Sequence, residues 1–194
     1  IMIALYAFVI ISFFITIVDI IIRFPLQSEM IDYNDIQAIV INVLALLIQI
    51  VFFAYGFVNA IRGMLSPKRM GAVIVAFFAA TCITGTGNMV INSNVQIVLW
   101  WIVLIIPNIV GAVATFAYFV SGKKSKIYSI IIYLVAIWGM FRIIYSNYNL
   151  IVHANQYLSM NSTVRLVLGI AIHCLVIYQT YVLWIKRQNA IDIS

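Results

Sequence analysis

Six apolar segments, each close to the length that crosses a bilayer, take up almost all of this 194-residue chain. They cover about 3–22, 36–61, 70–90, 95–120, 127–146 and 163–185. A spanning helix needs about 20 mostly apolar residues. In hydrocarbon every backbone N–H and C=O must find its partner inside the protein, so each segment is expected as an α-helix. Hydrophobic residues make up 65% of the chain and charged ones only 8%. A soluble domain carries about 25% charged residues. No water-soluble fold could hide this much apolar surface. The expected fold is therefore all-α: a polytopic integral membrane protein, one transmembrane domain over residues 1–194, built as a bundle of six helices.

Charge orients the bundle. Arg62, Lys68 and Arg69 lie between segments two and three, Lys123, Lys124 and Lys126 between four and five, and Lys186 and Arg187 after six. The first connection on the other side holds Glu29, Asp32 and Asp35. Short loops rich in Lys and Arg mark the cytoplasmic face, which puts both termini inside. The net charge of +6 is thus a property of topology. No basic run is paired with stacking aromatics on a soluble surface, so nucleic acid is not an expected partner. Segment one contains Asp19, lacks a small-x-small cleavage site and is too long for a signal-peptide core, so it reads as a retained helix. It should stop near Pro25, since proline cannot extend a helix. The Ile-rich composition suits a bacterial plasma membrane, with an organelle inner membrane as the alternative.

Polar groups inside a membrane are costly and usually face the bundle interior or a wet cavity. Placed by depth at about 1.5 Å rise per residue, Gln49, Asn108 and His173 fall near the midplane. Thr84, Asn88, Trp101 and Arg142 fall in the outer half. This outward bias predicts a cavity open to the outer face, lined by Gln49, Thr84, Asn88, Trp101, Asn108, Arg142 and His173. Pro107 removes one helical hydrogen bond and leaves the carbonyl of Val103 in need of a donor. With Asn108 and Gly111 beside it, that break fits either a kink lining a cavity or a kink packed on a neighbour.

Asp19 and Arg142 are the charges deepest in apolar sequence. They are expected as a structural ion pair between segments one and five, with Arg142 holding a charged solute as the rival reading. His173 and Cys174 are adjacent on a helix and point about 100° apart, so they do not form a nucleophile–base dyad with each other. The two cysteines, Cys82 and Cys174, are neither a CxxC pair nor a metal box. HExxH, GxSxG, paired aspartates and Walker motifs are missing from the sequence. Neither a cofactor nor a metal is expected, nor an enzyme.

Three functions fit. The first is a small-solute binding membrane subunit of an uptake transporter. Six helices, inner termini and long outer loops one and five resemble, in helix count and orientation, the substrate-binding membrane subunits of energy-coupling-factor vitamin transporters. Segment one departs from them in lacking a small-residue packing pattern. The second is a non-catalytic accessory or immunity protein packing against a larger membrane complex, through Ile/Val-rich faces and the alanines of segment three (Ala72, Ala76, Ala79, Ala80). The third is an intramembrane enzyme using His173 or Cys174. The lipid bilayer is a partner in all three.

Overall fold

The computed structural model describes the backbone of residues 1–27, 33–91, 101–123, 125–153 and 160–191. No strand occurs among them. Helix α1 is Met2–Gln27, α2 Tyr33–Ile61 and α3 Pro67–Ile91. Helix α4 is continuous but not uniform: a wide π turn over Trp101–Ile105, an α-helical Ile106–Thr115, and a second π turn over Phe116–Val120. Helix α5 is Lys126–His153 and α6 is Met160–Ile191. Five of these carry windows long and apolar enough to span a membrane, and α1 contributes a shorter apolar stretch, Met2–Val18. This is the six-helix membrane bundle that the apolar segments predict.

The helices outrun the apolar segments. α1 continues through Pro25 to Gln27, past its expected stop. Proline costs one backbone bond there, but the last carbonyls of a helix lack helical partners anyway, and beyond the apolar stretch water can serve them. α5 reaches His153 rather than 146, and α6 begins at Met160 rather than 163. Hydropathy measures the membrane's thickness, whereas the helical hydrogen-bond ladder continues into polar sequence until something stops it. The expected start of segment four, 95–100, lies outside the described residues.

Packing follows chain order. α1 touches α2, α2 touches α3, and so on to α6, which returns to α1 and closes the ring. α3 and α6 also meet across the middle. The bundle is therefore two four-helix squares, α1–α2–α3–α6 and α3–α4–α5–α6, sharing one edge. Aromatic side chains fill the first square: Tyr6 and Phe13 both pack against Phe53 of α2, with ring centroids 6.1 and 5.6 Å apart. The core extends through Val73, Phe77 and Phe78 of α3, Tyr118 and Phe119 of α4, and Ile172, Leu175 and Val176 of α6. Outward faces carry exposed Phe, Ile, Leu and Val, among them Ile11, Leu44, Val113, Leu134 and Phe141, as lipid contact requires.

The basic turns are built as well as charged. α2 ends in a Schellman cap: Met64 N–H donates to the Asn59 carbonyl at 2.9 Å and Gly63 N–H to that of Ala60 at 3.2 Å. Gly63 sits at φ +65°, where a side chain would be strained. Two residues on, Ser66 caps α3 by accepting the Arg69 N–H at 3.3 Å, with Pro67 at the first helical position. Arg69 then reaches back across the turn. Its Nη1 donates to Asn59 Oδ1 and to the Met64 carbonyl, each at 2.7 Å. Asn59 in turn donates to the Tyr55 carbonyl at 2.7 Å. The other basic turn ends α4 with Gly122 at φ +69°, and Lys123 lies over the Tyr128 ring, 5.8 Å from its centroid.

Candidate functional site

His173 lies where α6 meets α3 and α5. Its Nδ1 pairs with the Gly169 carbonyl one turn earlier, at 2.6 Å. Its ring stands edge-on to Phe77 of α3, with centroids 5.2 Å apart and planes at 88°. Its other ring nitrogen, Nε2, faces Gly139 of α5, and a Cβ built on Gly139 would overlap the imidazole. Gly139 is thus a notch that admits the histidine. Arg142 follows three residues later on α5 and is half-buried. Of the residues expected to line a cavity, these two lie on neighbouring helices.

The others sit apart. Asn108 is buried, but its Nδ2 donates to the Leu104 carbonyl of its own helix at 2.6 Å. Thr84 is half-buried and bonds the Ala80 carbonyl at 2.9 Å. Gln49 is half-buried on α2. No hydrogen bond joins Gln49, Asn108 and His173 among the described residues. The side chains of Asn88 and Trp101 lie outside the described residues. So does that of Asp19, which leaves its expected pairing with Arg142 unplaced. Among the described residues α1 packs on α2 and α6 and does not touch α5.

One habit recurs through the bundle. Ser12, Thr16, Thr81, Thr84, Thr115 and Thr180 each donate to the carbonyl four residues back. Hydroxyls in helices can close on their own backbone this way, so they need no partner from a neighbouring helix or a ligand. Among the described residues, these hydroxyls and Asn108 are accounted for within single helices.

The break at Pro107 is repaired from outside. The indole Nε1 of Trp138 on α5 donates to the Val103 carbonyl at 2.9 Å, the group that Pro107 leaves without its helical donor. The π turn over Trp101–Ile105 lies immediately before the proline, a usual place for such a widening. Gly111, one turn on, lets Phe78 and Val135 close against α4, so the helix is tightly packed beyond the proline. Cys82 of α3 lies 3.9 Å from the Ile105 carbonyl through its Sγ. Cys82 and Cys174 are not disulfide-bonded.

Sequence reasoning also missed a buried pair in the basic half. Gln179 of α6 donates through Nε2 to the hydroxyl of Tyr6 on α1. Both residues are fully buried, and Gly56 of α2 leaves room for the tyrosine ring. Gln179 Oε1 has no hydrogen-bond partner among the described residues. A Tyr and a Gln within opposite ends of the chain carry no mark in sequence that they meet.

A groove of about 460 Å³ opens sideways, toward lipid, between α2, α3 and α4. Ala72, Val75, Ala76, Ala79, Ala80 and Ile83 of α3 form its floor. Ile48 and Phe52 of α2 make one wall, Phe116 and Val120 of α4 the other, and Lys68 stands at its basic end. Its alanines are the small-residue stripe that the sequence singles out as an interface. No group of three or more His, Cys, Asp or Glu side chains suited to a metal is found among the described residues. Comparison with protein-family models, with curated proteins and with solved structures finds no match.

Proposed function

We propose that this chain is a non-catalytic membrane subunit that acts by lateral binding within the bilayer, through the groove between α2, α3 and α4. The observation that carries this proposal is the groove itself: an open apolar channel floored by small residues on a spanning helix. Small residues on a membrane helix allow close approach of a neighbour, which is how contacts form where lipid removes the hydrophobic drive. The bundle's polar side chains, by contrast, are largely satisfied inside their own helices. A photo-crosslinking residue at Ala79, in the groove, should give a discrete adduct in native membranes. The same residue at Ile137, on the exposed face of α5, should give only diffuse lipid labelling. Identical patterns at the two positions would sink the proposal.

A second reading has one observation in its favour. Arg142 is half-buried in a spanning helix. An anionic solute entering from the outer side and held by Arg142 would make the chain the solute-binding subunit of an uptake system. Its test is solute binding lost in Arg142→Gln with folding intact; unchanged uptake in that variant removes it.

We place the chain in a bacterial plasma membrane with both termini cytoplasmic, on the Lys/Arg bias and the Ile-rich composition. In a background lacking Cys82 and Cys174, an impermeant outside reagent should label a cysteine at Asn155 and not one at Ser125. The reverse pattern refutes this orientation.

A further inference from the structure

The groove's dimensions limit what can occupy it. Lys68 and Ile83 both line it and are fifteen residues apart on α3, which is about 22 Å at the helical rise. About 460 Å³ along that length has room for one extended hydrocarbon chain. One leaflet of hydrocarbon is about 15 Å deep, so the groove runs from the membrane boundary past the midplane.

Its basic end supplies the second constraint. Lys68 is exposed in the first turn of α3. Its neighbour Arg69 is committed to Asn59 and Met64, and Lys123 lies over Tyr128, so among the described residues Lys68 is the cation that lines the groove. An ammonium is a compact point charge that suits a phosphate. It stands at the end of the row of alanines, where it would meet the headgroup of a chain lying on them.

We propose that the groove between α2, α3 and α4 is a lipid site: one acyl chain of an anionic phospholipid, from the leaflet on the basic side, lies along α3 with its phosphate at Lys68. This rests on the lateral-binding proposal above and names its occupant. Phe52 and Phe116 flank the chain, and Ala79 lies beneath it.

The test uses the full chain, purified in detergent and supplied with equal amounts of phosphatidylglycerol and phosphatidylcholine bearing the same acyl chains. Retained lipid is counted by native mass spectrometry. One phosphatidylglycerol should be retained in preference, by about five-fold, the size expected of one lysine meeting an anionic headgroup. Lys68→Gln should abolish the preference, whereas Lys126→Gln, on an exposed site of the same side, should leave it. Ala79→Trp, which fills an exposed position in the groove, should lose retention of both lipids. Equal retention of the two lipids by the native chain, or equal loss in Lys68→Gln and Lys126→Gln, overturns the proposal. The crosslinker at Ala79 separates the two levels. A lipid adduct supports both, and a protein adduct keeps lateral binding but removes the lipid. A pattern like that at Ile137 removes both.

Discussion

The Trp138–Val103 bond can be isolated, because the structure names both the defect and its repair. Pro107 denies the Val103 carbonyl its helical donor, and the indole of Trp138 supplies one at 2.9 Å. Trp138→Phe keeps an aromatic ring on an exposed face but removes the N–H. Hydrogen bonds between membrane helices are worth about 0.6 kcal/mol on average and up to about 1.7. A buried acceptor left unsatisfied costs about 1–3 kcal/mol. Trp138→Phe should therefore destabilise the bundle by about 1–2 kcal/mol. Pro107→Ala restores an N–H at position 107 that can serve Val103 from within the helix. In that background Trp138→Phe should cost less than about 0.5 kcal/mol, leaving a coupling of about 1 kcal/mol between the sites. Equilibrium unfolding of the purified protein in mixed micelles, titrated with dodecyl sulfate and read by pulse proteolysis, measures all four variants. An equal cost in both backgrounds means that Trp138 contributes through its ring, and the reasoning from the proline fails. No cost in either means that the bond contributes nothing.

Three further outcomes follow from the same geometry. Gly139→Ala should cost about 1–3 kcal/mol by overpacking against His173, and His173→Ala in the same chain should recover most of it in the same unfolding assay. Arg69→Lys keeps the charge that orients the chain but loses the reach to Asn59 and Met64; it should lower stability by about 1.5–3 kcal/mol while cysteine labelling shows unchanged topology. Arg142→Gln should lower stability if Arg142 pairs with Asp19, with partial recovery on adding Asp19→Asn; if Arg142 instead snorkels to the interface, unfolding should be unchanged by either substitution.

The fold was legible because composition leaves one solution. Only helices can carry six such apolar segments through hydrocarbon, and the basic residues separate the two sides. The turn between α2 and α3 was legible as a basic connection, although α3 starts at Pro67 rather than at 70. What Arg69 does there was not: its charge explains its presence on that side well enough that nothing in the sequence calls for a second role. Helix ends were misjudged because apolar length measures the bilayer, while α1, α5 and α6 run on beyond it.

The interior was harder to read for a geometric reason. Counting residues along a helix gives height in the membrane but not the direction a side chain faces or the partner it meets. Gln49, Asn108 and His173 share a height, yet no hydrogen bond joins them among the described residues. A polar residue in a membrane helix can also be there for the backbone's sake. Asn108 holds the Leu104 carbonyl beside the proline, the hydroxyls hold carbonyls one turn back, and Trp138 holds the one that Pro107 gave up. Such residues raise the polar count without opening a cavity. The groove is the opposite case. Its alanines, and the glycine notch at His173, work by taking up no space, and a missing side chain is silent in any search for chemical groups. Ala72 and Ala76 carry weight only once Phe52 and Phe116 stand on either side of them and Lys68 closes one end, and that is knowledge of which helices are neighbours. In a bundle of this composition, the surfaces that bind are better sought where small residues face lipid between bulky walls than where polar residues share a depth.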